Sequence, residues 1–225
     1  MKKRIFTLLF MLLVVISLTG CSKVTEDSKK FKKDYEAIND KDNGKGTKYR
    51  KVSIPEDNPF VYATVDDVIK MIENKETFYV YFGDEMCPWC RSVIEKAIEV
   101  AKQNKVKKIY YVEIWDKDHN EVVRDKYELN ENDEVIKVSD GHKGYAKLLE
   151  YFGNVLSDYT LKTTEESKIG PAEKRIYAPN YIRVEKGNAI KMVEGISESQ
   201  EGANDELTDA ILKDEVEQFQ SIFKK

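Results

Sequence analysis

The chemistry-bearing residues of this sequence converge on one short stretch, Cys87-Pro88-Trp89-Cys90. Two cysteines at this spacing can form, break and pass on a disulfide, the first sulfur attacking as thiolate and the second resolving the mixed disulfide. Position matters more than the pair itself. Phe78-Tyr79-Val80-Tyr81-Phe82 precedes it, a continuous aromatic and β-branched run that predicts a strand buried on both faces. After it, Cys90, Val93, Ile94, Ala97, Ile98 and Ala101 trace an apolar helical stripe. The pair therefore stands at a helix N-terminus, where free N–H groups and the dipole favour a thiolate. Pro88 suits the first helical position, since its missing N–H removes no helical bond. Cys87 is the expected attacking thiolate and Cys90, on the buried stripe, the shielded resolving thiol.

Two other uses of the pair stand beside this one. The same spacing allows a local structural disulfide. With His119 and His142, the only histidines, the pair also completes the count for a four-ligand zinc site. The wide separation of the two histidines is unlike a zinc finger's tight pair, so no metal is expected. The chain holds three cysteines, too few for a disulfide-stapled framework, which favours cysteine chemistry over cysteine scaffolding.

The third, Cys21, closes a different pattern. Lys2, Lys3 and Arg4 form a positive start, Ile5 to Ile16 an apolar run, and Leu18-Thr19-Gly20-Cys21 a small-residue ending. The run is short for a membrane span, and the basic, apolar, small order is that of a cleaved export signal. The ending resembles a lipobox, which implies that residues 1–20 are removed and Cys21 is lipidated. Two acyl chains there would hold the chain stably at the extracytoplasmic face of the cell membrane.

These residues need elements to hold them. The chain is 41% hydrophobic and 35% charged, enough for a packed core under an ionised surface. Its 37 basic and 41 acidic residues are interspersed, with no basic stripe, so a nucleic-acid partner is not expected. Residues 21–58 carry many lysines and few large apolar groups, and predict a lipidated N-terminus and flexible tether, with room for a short helix over Phe31–Ile38. Thr64-Val65-Asp66-Asp67 has a helix start's hydroxyl cap and first-turn acids, and Val65, Val68, Ile69 and Ile72 extend it to about Asn74. Ile109 to Trp115 predicts a second buried strand. Gly144 to Leu156 has helical spacing, and Asp125 to Ser139 reads as a helix end followed by a hairpin. Arg175 to Val184 and Ala189 to Ile196 predict two strands turning at Gly187-Asn188, before a closing helix from about Asn204. The alternation of helix and strand predicts an α/β domain over 59–225.

Strand, Cys-Pro-Trp-Cys, helix and strand together resemble the thioredoxin-like family. Tyr177-Ala178-Pro179-Asn180 before a strand, followed by Gly187 and Gly195, resembles that family's cis-proline loop, hairpin and glycine. The match spans about residues 60–116 and 173–225. The leader and the Pro–aromatic dipeptide are similar to those of extracytoplasmic thioredoxin-like lipoproteins of Gram-positive bacteria, some of the bacteriocin-transport-accessory type. The resemblance implies a central mixed sheet flanked by helices, a cis Ala178–Pro179 bond packed against the cysteines, and a substrate groove bordered by Pro88, Trp89, Ala178 and Pro179. It implies a thiol–disulfide oxidoreductase with no cofactor beyond the Cys87–Cys90 disulfide. Its partners would be exported proteins or peptides with thiols or disulfides, a redox partner acting in trans, and the membrane through the lipid anchor. The alternative is a non-catalytic accessory protein of the same fold that holds an exported peptide or a transporter. There are two departures from the family pattern. Residues 116–172 predict a largely helical insertion. Tyr81 stands where many thioredoxins carry a buried acid, six residues before the first cysteine.

Overall fold

The protein is described from a computed structural model over residues 24–44, 46–163, 168–171 and 173–224. The export signal and Cys21 lie outside the described residues. In chain order the elements are α1 (Glu26–Ala37), β1 (Phe60–Tyr62), α2 (Val65–Glu73), β2 (Phe78–Gly83), α3 (Pro88–Gln103), β3 (Ile109–Glu113), β4 (Lys126–Leu129) and β5 (Val135–Ser139). There follow α4 (Tyr145–Phe152), the two-residue strands β6 (Ser157–Asp158), β7 (Leu161–Lys162), β8 (Lys168–Ile169) and β9 (Lys174–Arg175), then β10 (Asn180–Glu185), β11 (Asn188–Val193) and α5 (Asp209–Phe223).

The fold is mixed α/β. Its central sheet has the order β1-β3-β2-β10-β11, parallel across β1, β3 and β2 and antiparallel from β2 through β10 to β11. Alternation along β2 divides the core, as the period of a strand requires. Phe78, Val80 and Phe82 join the cluster that α2 and α4 cover, with Val68, Ile72, Leu148 and Phe152. Tyr81 joins the opposite cluster under α1, α3 and α5, with Phe31, Tyr35, Val93, Ile94, Ala97, Phe219 and Phe223. Helix α2 begins on the expected cap, Thr64 Oγ1 accepting the Asp67 N–H at 3.1 Å. The β10–β11 turn falls at Gly187, whose φ of 78° is left-handed backbone open to glycine.

The N-terminal segment corrects the tether expectation. Residues 26–37 form a helix with a Thr25/Ser28 capping box, starting before the short helix the sequence pattern allowed. Phe31 and Tyr35 are fully buried, and Phe31 stacks on Phe60 at 4.1 Å between centroids. The strand-like passage beyond it is also tied down: Val52 and Ile54 lie in the core, while Asn39 brackets Val52 with hydrogen bonds of 2.8 and 3.0 Å. Large apolar groups are few here, but the few are aromatic or β-branched and meet partners distant in sequence. Average composition therefore understates what the segment buries.

The insertion also departs from expectation. Among the described residues of 116–172 there is one helix, α4, and short strands: β4 pairs with β5, β7 with β8, and β6 with β9 just beyond the segment. Tyr127 to Leu129 and Val135 to Val138 are rich in β-branched and aromatic residues around an Asn-rich turn, which suits a hairpin better than a helix. Strand β10 begins at Asn180 rather than Arg175, leaving Tyr177 and Ala178 in a loop. Among the described residues no helix is long and apolar enough to cross a membrane.

Candidate active site

Strand β2 ends at Gly83, and a three-residue turn delivers the chain into α3. The Asp84 carboxylate accepts the Met86 N–H at 2.8 Å, and the Asp84 carbonyl accepts the Cys87 N–H at 3.3 Å. Cys87 is thereby placed as the N-cap of α3, with extended backbone (φ −71°, ψ 115°) and Pro88 in the first turn. Its Sγ accepts the Cys90 N–H at 3.4 Å, as a capping side chain does. Cys87 is 8% exposed and Cys90 0%, both as free thiols. The expected order of exposure holds, although Cys87 is itself well covered. Pro88 and Trp89 are half-buried beside it.

The second expected signature meets the first. Because β10 pairs with β2, Asn180 opposite Phe82, the loop before β10 arrives at the start of α3. The Cys87 thiol donates to the Ala178 carbonyl at 3.4 Å, the Ala178–Pro179 peptide is cis, and Pro179 is buried. Asn180 fixes the loop by accepting the Tyr177 N–H at 2.7 Å and donating to the Pro179 carbonyl at 2.9 Å.

Electrostatics separates the two sulfurs. A hydrogen bond from the Cys90 thiol, then the N–H groups of Cys90 and Trp89 and the charge of Arg124, hold Cys87 below the ordinary thiol range against the opposing effect of burial. Burial, and then Cys87 itself, push Cys90 well up, with a hydrogen bond from Tyr81 acting the other way. Such an arrangement suits a nucleophile and a resolving thiol that ionises only when needed. Asp84 is 4% exposed, and burial followed by the nearby charge of Glu85 pushes its carboxyl up to about 8. At neutral pH it is mostly protonated and sets little negative charge against a Cys87 thiolate.

Behind Cys90 lies a group of buried tyrosines that periodicity alone marked only as core. The Tyr81 ring stacks on Tyr181 at 4.3 Å and on Tyr111 at 5.3 Å, and its hydroxyl bonds that of Tyr35 at 2.8 Å. The ring lies back along the strand over Gly83, where a Cβ would overlap it, so only glycine fits there.

Segments beyond the predicted site also border it. Tyr49 from the N-terminal segment, and Trp115 and His119 after β3, line a cavity of about 300 Å3 together with Cys87 and Asp84. Arg124 lies over the Trp115 ring, its guanidinium carbon 5.1 Å from the centroid, pairs with Glu121, and donates to the Ile176 carbonyl at 3.2 Å. It thus bridges the insertion to the loop carrying Ala178. Asp84 had a legible signal, an acid just ahead of the cysteines; Tyr49, Trp115 and Arg124 had none, because only tertiary contact brings them near. His142 accepts the Gly144 N–H at 3.0 Å and lies 4.0 Å from Asp66, and among the described residues no three His, Cys, Asp or Glu side chains are grouped to hold a metal ion. No protein-family model matches this sequence, and no curated protein proves similar to it.

Proposed function

We propose that this chain is a thiol–disulfide oxidoreductase of thioredoxin-like fold, anchored through Cys21 at the extracytoplasmic face of the membrane. One observation carries the reading. Cys87 caps α3 with its sulfur on the Cys90 N–H, while the same sulfur lies 3.4 Å from the Ala178 carbonyl of the loop before β10. The order β1-β3-β2-β10-β11 and the packing of helices on both faces support the fold assignment.

The exchange runs as follows. The Cys87 thiolate attacks one sulfur of a substrate disulfide, forming a mixed disulfide as the substrate S–S bond breaks. The departing substrate sulfur takes a proton. Cys90 then loses its proton and attacks Cys87 Sγ, forming the Cys87–Cys90 disulfide and releasing the second substrate thiol. Two electrons pass to the substrate, and a dithiol partner acting in trans restores the pair. The reverse sequence delivers a disulfide. Pro88, Trp89, Ala178 and Pro179 border the groove in which substrate backbone lies. Exported proteins and peptides are the substrates, and no cofactor beyond the cysteine pair takes part.

The test is exchange with a small symmetric disulfide, alongside the potential of the pair in glutathione or dithiothreitol buffers. Cys87→Ser should abolish exchange, and Cys90→Ser should trap the mixed disulfide. A potential near about −120 to −180 mV marks a disulfide donor or isomerase, and one near about −270 mV a reductant. Exchange at the wild-type rate in Cys87→Ser overturns the proposal.

A further inference from the structure

The cavity beside Cys87 joins the cysteine loop, with Asp84, Met86 and Pro88, to side chains from the N-terminal segment and from the turn after β3. The N-terminal segment brings Tyr49, and the turn after β3 brings Trp115 and His119. That turn is tight: the Asp116 N–H donates to the Asn120 carbonyl at 2.9 Å, and Trp115 bridges Glu121. Arg91 holds the facing segment, donating to the Arg50 and Tyr35 carbonyls at 2.8 and 2.9 Å. Both walls are therefore fixed to the frame that holds the cysteines.

We propose that this cavity is a specificity subsite that takes an uncharged aromatic side chain next to the substrate's disulfide. The inference rests on the exchange reading and names its substrate class. Three observations choose the occupant. The cavity measures about 300 Å3, the scale of a small ligand site and room enough for one ring, and Cys87 is among its lining residues. Its walls include Tyr49, Trp115, Met86 and Pro88, surfaces against which a ring stacks with little entropy loss. Charge argues against the rivals. Arg91 lies 5.9 Å from the Tyr49 ring centroid and Arg124 5.1 Å from that of Trp115, so both aromatic walls already face a guanidinium and a second cation gains little. An anion would meet Glu85 and Glu113, whose charges both bear on Asp84 in the cavity lining.

The test uses the reduced, full chain labelled with 15N. Its two tryptophans, Trp89 and Trp115, give two indole signals. N-acetyl methylamides of Phe, Leu, Lys and Glu are titrated in turn. The expected result is a saturable shift of the Trp115 signal with Phe, at a concentration roughly tenfold below that needed for Lys or Glu, the discrimination an apolar pocket supplies. Tyr49→Ala should bring the Phe and Lys curves together. Equal shifts for all four, or a preference for Lys or Glu, overturn the inference. Exchange with a small symmetric disulfide is measured on the same sample. A flat Trp115 response with normal exchange removes the subsite alone, and a Phe-selective response without exchange removes the redox reading and leaves the cavity's selectivity.

Discussion

The hydroxyls of Tyr35 and Tyr81 meet at 2.8 Å in a fully buried hydrogen bond, and Tyr81 also bonds the Cys90 sulfur. A residue from the N-terminal helix thus reaches Cys90 through one intermediary. Tyr81 stands where many members of the family the sequence resembles carry a buried acid. A phenol whose pKa is raised by burial keeps its proton, so it can donate to one neighbour while accepting from the other, where a carboxylate could only accept.

Tyr81→Phe tests that chain. The hydroxyls of Tyr35 and the sulfur of Cys90 would each lose a partner in a dry site, which costs about 1–3 kcal/mol of stability. Removing the hydroxyl should also push the Cys90 pKa further up, so resolution of a mixed disulfide should slow while the attack by Cys87 changes less. Single-turnover exchange monitored by thiol alkylation separates the two steps, and equal slowing of both would sink the assignment.

Asp84 predicts a pH signature. Cys87 ionises below the ordinary thiol range, whereas burial holds the Asp84 carboxyl up at about 8. As pH rises through about 8, Asp84 becomes charged near Cys87 and opposes its thiolate. Asp84→Asn should therefore move the midpoint of Cys87 alkylation to lower pH. A midpoint that stays where it is would contradict the coupling.

Arg91 predicts how the N-terminal segment is held. It is 1% exposed and donates to the carbonyls of Arg50, Tyr35 and Glu85 and to Asn39 Oδ1. Charge-assisted bonds of this kind contribute about 1.5–3 kcal/mol each, not additively. Arg91→Ala should lower stability by about 3 kcal/mol or more and open residues 38–58 to limited proteolysis. Arg91→Lys, with one ammonium in place of the planar fork, should recover only part of the loss. Phe31→Ala is the companion from the same segment, with an expected loss of about 3–5 kcal/mol. A free tether would show no stability change for either residue in denaturant unfolding.

Glu215 predicts the pH dependence of stability away from the cysteines. It is fully buried in α5, and neither carboxylate oxygen has a hydrogen-bond partner among the described residues. Burial raises its carboxyl to about 7, opposed by Lys96 and Arg50 and assisted by Asp214. The folded value thus lies above the unfolded one, so between the ordinary carboxylate range and about pH 7 the native state holds a proton that the unfolded chain has released. Stability is highest at the acidic end of that window and falls as pH rises through it. Glu215→Gln should flatten the fall and raise Tm at pH 8, by roughly 2–4 °C for each kcal/mol of relief in a domain of this size. A wild-type Tm that climbs between pH 5 and 7 with no change in the variant would contradict it.

Local pattern carried much of the site. The run Phe78–Phe82, the hydroxyl cap at Thr64 and the stripe from Cys90 to Ala101 are short-range signals, and each met the element it predicts. The Cys87–Cys90 placement followed from them, because a strand leading into a helix leaves only one position for the pair. The cis Ala178–Pro179 bond was implied by the family resemblance, not by any local rule, and it is present beside Cys87.

Long-range contact decided the rest. Residues 24–58 look too polar to order, yet Phe31, Tyr35, Val52 and Ile54 are buried because Phe60, Tyr111 and α3 offer them partners. The insertion read as helical because one true helix, α4, lies among short ladders whose pairing is invisible to a local window. The sequence by itself determined an α/β chain with a cysteine pair at a helix start, since spacing, caps and strand-forming runs act between near neighbours. Which side chains surround that pair, with Tyr81 and Tyr35 behind it and Tyr49, Trp115 and Arg124 beside it, was settled only when the tertiary fold closed distant segments onto one sheet edge. Burial and charge act through space, and no sequence spacing encodes them.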